Sequence, residues 1–161
     1  MKSSIPPQAD TPTAPLAWPL RVPFVEALGL ELWRSEAGQA QVRLALQDAQ
    51  HNAWAVAHGG VLMTLLDVSM AQAARSLVAD APTMGVVTVE LKTSFMQPAQ
   101  GALCCDAQVL HRTPTLAFCQ AELRDAAGRL CAHATGSFKY VRALAVGRGS
   151  VQRLPSTEPQ A

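Results

Sequence analysis

The sequence predicts a single α+β domain in which one apolar helix packs on an antiparallel sheet. Three observations lead to this prediction. The 161 residues suit one domain. Residues 61–79 form a helix-prone, uncharged run that only Asp67 and Arg75 interrupt. A strand-like hairpin precedes this run, and four strand-like segments follow it.

The elements before the helix follow from local composition. Residues 1–20 are rich in proline, which excludes regular structure, so we expect a disordered N-terminal arm. A short helix over residues 23–28 begins with Pro23 and is followed by Gly29. Residues 30–35 and 39–46 predict a hairpin around Ala37-Gly38, since apolar and polar residues alternate along the second strand.

The elements after the helix are predicted in the same way. Residues 80–83 contain Pro82 and should stop the helix at about Ala79. Strands are expected over residues 86–95, 103–112, 115–124 and 130–141, with turns at residues 97–101 and 125–128. The folded domain therefore covers residues 21–143, and the Gly-, Ser-, Pro- and Gln-rich residues 144–161 are expected to form a disordered tail.

Composition limits the possible partners. The formal net charge of +1 gives no reason to expect binding to nucleic acid or to an acidic membrane surface. The four cysteines contain no CxxC pair, so we expect reduced thiols in a cytoplasmic protein. No secretory apolar segment follows the N-terminus. Because Asp67 interrupts the apolar helix, a buried helix is favoured over a membrane span.

The start of the helix has the composition of an oxyanion site. Gly59 and Gly60 stand where backbone N–H groups have no acceptor within the helix. Glycine lets a ligand approach the backbone, and the helix dipole favours negative charge there. Such a helix start can polarise a carbonyl and hold the oxyanion that develops during acyl transfer. Further along the helix, Asp67 lies in an apolar run. A carboxylate in such surroundings lowers the stability of the fold unless it is hydrogen-bonded, is paired with a cation or is used in catalysis.

The spacing of these residues predicts a homodimer. Gly59 and Asp67 are eight positions apart, which is roughly 12 Å along a helix. An aspartate side chain cannot close that gap to the distance of about 3 Å needed at one reacting carbon. If both residues act on one substrate, they come from two copies of the helix. The active site should therefore lie across a dimer interface.

The pattern N-x5-HGG-x6-D, formed by Asn52, His58-Gly59-Gly60 and Asp67, supports a family assignment. With this order of elements, residues 22–141 resemble the hotdog-fold acyl-CoA thioesterases of the phenylacetic-acid-degradation (PaaI) type. The resemblance implies a curved sheet around the helix and edge-to-edge dimers, which often pair into homotetramers. It also implies an acyl-CoA substrate, with coenzyme A as part of that substrate, and neither a separate cofactor nor a metal.

The resemblance also implies roles for individual residues. Asp67 would be the catalytic carboxylate, acting as general base or nucleophile, and the Gly59 N–H would hold the thioester oxygen. His58 and Asn52 would shape the loop and assist the leaving group or the carbonyl. Thr88 occupies the position at which the family often has Ser or Thr near the attacking water.

The chain departs from the family at the loop before the helix. Ala55 stands where the family commonly has glycine, which stiffens the loop. The bulky Trp54 beside it is expected to shape the acyl pocket, and Gly60 is expected to contact the substrate. These departures concern the identity of the substrate more than the class of reaction.

Other interpretations of the same residues stay open at this point. Asp67 could be a structural acid, for example paired with Arg75, while Asn52 could be only a turn former and Thr88 a core residue. The fold could also serve an enoyl-CoA hydratase or dehydratase that uses His58 for proton transfer. A non-catalytic acyl-CoA-binding protein is a third possibility. The remaining histidines lack metal-ligand spacing.

Overall fold

A computed structural model describes residues 13–81 and 84–142. Along the chain it contains α1 (Pro23–Leu28), β1 (Glu31–Glu36), β2 (Gln39–Ala45), a 3-10 turn (Asp48–Gln50), α2 (Gly59–Ser76), β3 (Gly85–Phe95), β4 (Ala102–Arg112), β5 (Leu116–Asp125) and β6 (Leu130–Val141). One long helix lies against one antiparallel sheet, so the predicted α+β class is confirmed. No helix among the described residues is long and apolar enough to cross a membrane.

The sheet curves around α2. Its strands follow the order β1-β2-β4-β5-β6-β3, and every neighbouring pair is antiparallel. All six strands contact α2. Six strands span about 24 Å at their usual spacing, whereas a helix with its side chains is about 10 Å across. A sheet that touches one helix with every strand must therefore wrap around it.

The core lies between α2 and the inward face of the sheet. In β2 the residues Ala40, Val42 and Leu44 are buried and alternate with less buried neighbours, as the pleat requires. From α2, Leu65 and Met70 are fully buried against this face. The alternation in the sequence therefore marks the core correctly.

α2 ends earlier in the chain than the sequence predicts, and a serine and a tyrosine form hydrogen bonds at its C-terminal end. The helix ends at Ser76 and not near Ala79, because the Ser76 hydroxyl donates to the Ala73 carbonyl. The same oxygen accepts the Gly38 N–H from the β1–β2 turn at 2.8 Å. Tyr140 in β6 also donates to a carbonyl in this last part of the helix. Contacts from distant segments thus replace the proline as the stop.

The two edges of the sheet differ. At the β1 edge the Leu16 N–H donates to the Leu32 carbonyl at 2.7 Å, and the Trp18 indole donates to the Leu30 carbonyl at 3.1 Å. Residues 13–20 were predicted as part of a disordered arm, and these contacts correct that prediction. Residues 1–12 and the predicted tail from residue 144 lie outside the described residues. At the opposite edge, β3 has no further strand beside it in the described part of the chain.

An irregularity in β3 sets which of its side chains face α2. The pairing of β3 with β6 shifts between Thr88 and Glu90, leaving Val89 as an extra residue. Before the shift Thr88 lies opposite the buried Phe138, and after it Leu91 lies opposite Gly136. Thr88 and Leu91 are therefore on the same, helix-facing side, although they are three positions apart.

Gly136 gives a test of how closely α2 approaches the sheet. A Cβ added there would lie 2.9 Å from the Phe138 ring, 3.1 Å from the Glu90 carbonyl oxygen and 3.3 Å from the Met70 methyl. We expect Gly136→Ala to lower the free energy of unfolding by about 1–3 kcal/mol, measured by urea unfolding. The neighbouring outward substitution Ser137→Ala should change it by less than about 0.5 kcal/mol. Equal stabilities for the two variants would contradict this packing.

Candidate active site

The carboxylate of Asp67 is fixed by a contact with β3. The Thr88 hydroxyl donates a hydrogen bond of 2.7 Å to Asp67 Oδ1, and the aspartate is half-buried on α2. Burial raises the pKa of Asp67 above its ordinary value of 3.8, and the Thr88 hydrogen bond opposes part of that shift. The second oxygen, Oδ2, has no hydrogen-bond partner among the described residues. It is the atom available to a water molecule or a substrate.

The start of α2 leaves one amide unused. His58 caps the helix, since its Nδ1 accepts the Gly60 N–H at 3.0 Å. The His58 carbonyl accepts the N–H groups of Val61 and Leu62. Within the described part of the chain, no acceptor takes the N–H of Gly59. The helix start therefore presents the Gly59 amide, whereas the Gly60 amide is already occupied.

The capping contact also determines which nitrogen of His58 can act as a hydrogen-bond donor. A neutral imidazole whose Nδ1 accepts a hydrogen bond carries its proton on Nε2. That N–H is a donor on an exposed side chain at the edge of the site. His58 is thus placed to donate a hydrogen bond, and a role as general base would require the loss of its capping contact.

The loop before the helix is held by Asn52. Its side-chain oxygen accepts the Trp54 N–H at 2.9 Å, and its backbone carbonyl accepts the Ala55 N–H at 3.0 Å. Ala55 has a φ of 55°, in the left-handed region that favours glycine. Glycine would adopt this conformation without strain, whereas the alanine does so at a cost. With Oδ1 used inside the loop, Asn52 has only its NH₂ group left for a ligand.

A groove of about 600 Å³ opens beside the unused amide. Gly59 and Asn52 lie on its wall, and the remaining wall is mostly apolar, formed by Trp54, Val56, Leu62, Phe95, Met96 and Pro98 among others. Trp54 and Asn52 were predicted from the sequence. Phe95 and Met96 were not, because a strand end and a helix start are brought together only by the tertiary fold. All the residues that line the groove are uncharged.

The structure separates the predicted residues into two groups within one protomer. Asp67 and Thr88 do not line the groove that contains Gly59. At Gly59 an added Cβ would lie 3.6 Å from the Phe95 ring, at the far end of β3 from Thr88. Seven positions of a strand separate Thr88 from Phe95, which corresponds to roughly 20 Å. The acid and the amide therefore do not meet on one chain.

Other nucleophilic and metal-binding groups do not form a competing site. Burial raises the pKa of both Cys105 and Cys119 to about 12, so both are protonated thiols at neutral pH. All four cysteines are unpaired. Within residues 13–81 and 84–142, no three His, Cys, Asp or Glu residues are grouped closely enough to hold a metal ion. Arg75 was considered in the sequence as a possible partner of Asp67. In the structure its guanidinium donates to the Met84 carbonyl at 2.8 Å.

Comparison with known proteins identifies the family to which the chain belongs. The sequence model of the thioesterase superfamily matches residues 55–132. A protein of Saccharolobus solfataricus that is named as an esterase is 33% identical over 116 residues, which cover 71% of this chain and 81% of that protein. A thioesterase family protein from Silicibacter pomeroyi has a similar structure, with a TM-score of 0.71, 25% identity and coverage of 76% of this chain and 91% of that one.

The PaaI protein from the phenylacetic acid degradation operon of Escherichia coli shares the fold. Its TM-score is 0.67 at 22% identity, with coverage of 73% of this chain and 83% of that one. The matches to the thioesterase superfamily model and to the Saccharolobus esterase, and not this likeness of fold, identify the chain as a hydrolase of the hotdog class. It belongs to the thioesterase superfamily. Family membership supports a thioester as the bond that is cleaved.

Removing the charge of Asp67 should stabilise the protein in a pH-dependent way. Because its pKa is raised in the folded chain, the contribution of Asp67 to stability is fully present only below its ordinary pKa of 3.8. That contribution is lost as the pH rises through the folded-state pKa. Asp67→Asn keeps an acceptor for Thr88, so we expect it to raise Tm at pH 7. The gain should shrink to nothing as the pH is lowered below about 3.8.

Asp106→Asn is the matched control for this measurement. Asp106 is exposed, and its Oδ1 accepts a hydrogen bond of 2.8 Å from Gln41 that an asparagine would also accept. Because this side chain is exposed and keeps its hydrogen bond, its substitution should change Tm little at pH 7. A lower Tm for Asp67→Asn at pH 7 would show that the charge of Asp67 stabilises the fold.

Proposed function

We propose that the protein is an acyl-CoA thioesterase, which converts an acyl-CoA and water into a carboxylic acid and free coenzyme A. One observation carries the proposal: the helix that presents the unpaired Gly59 amide to an apolar groove also holds the half-buried carboxylate of Asp67. The amide suits a thioester oxygen, and the carboxylate suits the attack on its carbon. The groove suits an acyl chain.

The proposed site is formed by two protomers. An antiparallel pairing of two β3 edges about a twofold axis would bring the Thr88 end of one strand beside the Phe95 end of the other. Asp67 of one protomer would then approach Gly59 of its partner, which a single chain does not allow. The support is the open β3 edge in the described structure, since an unpaired edge strand is a ready surface for another strand.

The chemistry assigns a role to each group. Asp67 takes a proton from water through Oδ2, or attacks through that atom itself, while Thr88 holds Oδ1. The carbonyl oxygen becomes negative as the carbon is attacked, and the Gly59 N–H donates to it. The carbon–sulfur bond then breaks, and the thiolate of coenzyme A leaves. Where Asp67 itself attacks, the product of this step is a mixed anhydride, which a water molecule then hydrolyses to release the carboxylic acid and restore the carboxylate. The Asn52 NH₂ and the His58 Nε2–H are the additional donors for the carbonyl or the thiolate.

The remaining features of the proposal concern the assembly and its surroundings. We propose a homodimer that pairs into a dimer of dimers, with no cofactor beyond the coenzyme A of the substrate and with neither nucleic acid nor membrane as a partner. The four unpaired cysteines support a cytoplasmic location, and the formal net charge of +1 supports the absence of a nucleic-acid or acidic-membrane partner.

A panel of acyl-CoA esters tests the reaction, with release of the thiol followed colorimetrically. Wild type should hydrolyse at least one ester. Asp67→Asn should lower kcat by about 10²–10⁴-fold, because it removes the group that accepts the proton of water. Asp106→Asn should leave kcat unchanged. Near-normal turnover by Asp67→Asn would exclude the proposed mechanism.

The same panel distinguishes the alternative reactions. Hydration of an enoyl-CoA without thiol release would indicate a hydratase, although the capping contact of His58 does not favour that reading. Binding of acyl-CoA without any turnover would indicate a binding protein.

Mixed dimers test the shared site. Gly59→Ala should fold normally, since its Cβ would make only an ordinary contact of 3.6 Å with Phe95, but the methyl group would block the approach to the amide. Each of the variants Gly59→Ala and Asp67→Asn should be inactive alone. A purified heterodimer of the two retains one intact site, so it should recover about half of the wild-type activity. An inactive heterodimer would exclude a site shared between protomers.

The pH profile tests the contact between Thr88 and Asp67. Thr88→Val removes the hydrogen bond that lowers the pKa of Asp67. Because only the ionised carboxylate is active, the acid limb of kcat/KM should move to higher pH in this variant. Thr88→Ser keeps a hydroxyl donor and should leave the limb near its wild-type position. An unchanged acid limb in Thr88→Val would show that the bond does not tune the catalytic group.

A further inference from the structure

Trp54 is the most exposed large apolar side chain among the described residues. It is 83% exposed, whereas the other two tryptophans are held by the protein. The Trp18 indole donates to the Leu30 carbonyl, and Trp33 donates to Glu31 and stacks with Arg43 at 4.0 Å. An indole in water forgoes the large gain in free energy that its burial would give. We therefore expect Trp54 to pack against a group that does not belong to the core of this chain.

The loop around Trp54 holds this exposed position firmly. The Trp54 N–H is bonded to the Asn52 side chain, and Ala55 closes the turn with a φ of 55°. An alanine in this region carries backbone strain, so the conformation persists only because the surrounding hydrogen bonds impose it. The exposure of Trp54 is therefore built into the loop.

The groove beneath Trp54 defines the chemistry of its occupant. Phe95, Met96 and Leu62 form its apolar wall, and no charged residue is among those that line it. A hydrocarbon group placed there would cover the exposed faces of Phe95 and Met96, which are 53% and 52% exposed. A carboxylate on the same group would lose its hydrogen bonds to water, and the groove has no cationic side chain to replace them. The occupant is therefore an uncharged hydrocarbon group that also reaches the Gly59 amide.

We infer that Trp54 is a specificity-determining residue that covers an extended, uncharged hydrocarbon acyl group of the substrate. This inference rests on the proposed thioesterase function. The indole packs on the acyl group opposite Phe95 and Met96 while the carbonyl lies at Gly59. An acetyl group is too short to reach the indole and gains nothing from it. A succinyl group would bring its charge into the apolar groove.

Hydrolysis of three esters tests the inference. The ratio of kcat/KM for hexanoyl-CoA to that for acetyl-CoA should be large in wild type, and succinyl-CoA should be a poor substrate. Trp54→Ala should reduce the hexanoyl-to-acetyl ratio by about 10–100-fold, in line with the loss of an aromatic contact surface. Trp33→Ala removes an indole away from the groove and should keep the wild-type ratio. An unchanged ratio in Trp54→Ala overturns the inference while leaving the thioesterase proposal intact.

A binding measurement separates this inference from the proposed reaction. S-hexyl-coenzyme A is a thioether that cannot be hydrolysed, so it probes the groove whether or not the protein is a thioesterase. Its binding should shift the tryptophan emission to shorter wavelength, and S-ethyl-coenzyme A should give little shift. Trp54→Phe should abolish the shift, and Trp33→Phe should retain it. If wild type cleaves no ester but the shift is seen, the reaction fails and the assignment of Trp54 stands. If S-hexyl-coenzyme A gives no shift, the assignment of Trp54 fails.

Discussion

The packing of α2 across β3 fixes the positions of both halves of the candidate site. One end of the helix lies against Phe95 through Gly59, and its middle is tied to Thr88 through Asp67. Both contacts belong to rigid backbone elements, so no change of rotamer brings the carboxylate to the amide. A single chain therefore holds the carboxylate and the amide apart, which is why the proposed site requires a second copy of the chain.

The same packing explains the energetic state of Asp67. Its carboxylate is partly removed from water, and only one hydrogen bond compensates it, so its pKa is raised. A raised pKa is unfavourable for the stability of the folded chain at neutral pH, but it makes the carboxylate a stronger base. The hydrogen bond from Thr88 opposes part of this shift and thereby favours the ionised form of Asp67. Stability and reactivity thus oppose each other at one side chain.

The sequence was sufficient for most of the fold because its signals are local. Alternation along β2 and the pair of glycines that begins α2 predict those elements correctly. The contacts that sequence patterns missed join distant positions. Ser76 ends the helix with help from Gly38, and Leu16 lies beside β1 through a bond to Leu32. Such pairings are properties of the folded chain and leave no local pattern.

The site was predictable to a different degree for each residue. Chemistry alone pointed to Gly59 and Asp67, since an open helix start and an acid in an apolar run are unusual locally. Thr88 was reached only through the family resemblance, because its orientation depends on the extra residue Val89 in the strand. Phe95 was missed altogether. Its place beside Gly59 follows from how the helix crosses the sheet, which no spacing in the sequence encodes.

The loop and the helix start form one connected unit. The His58 N–H donates to the Gln50 carbonyl, and the Ala57 N–H donates to the Ala99 carbonyl, so the segment that holds Trp54 is anchored directly before the Gly59 amide. Selection of the acyl group and stabilisation of the oxyanion would then be functions of one protomer, and attack a function of the other. A substitution in the loop can change the preferred acyl group without touching the carboxylate. In the proposed site, the preference for an acyl group and the chemistry of attack would therefore depend on different segments of the chain.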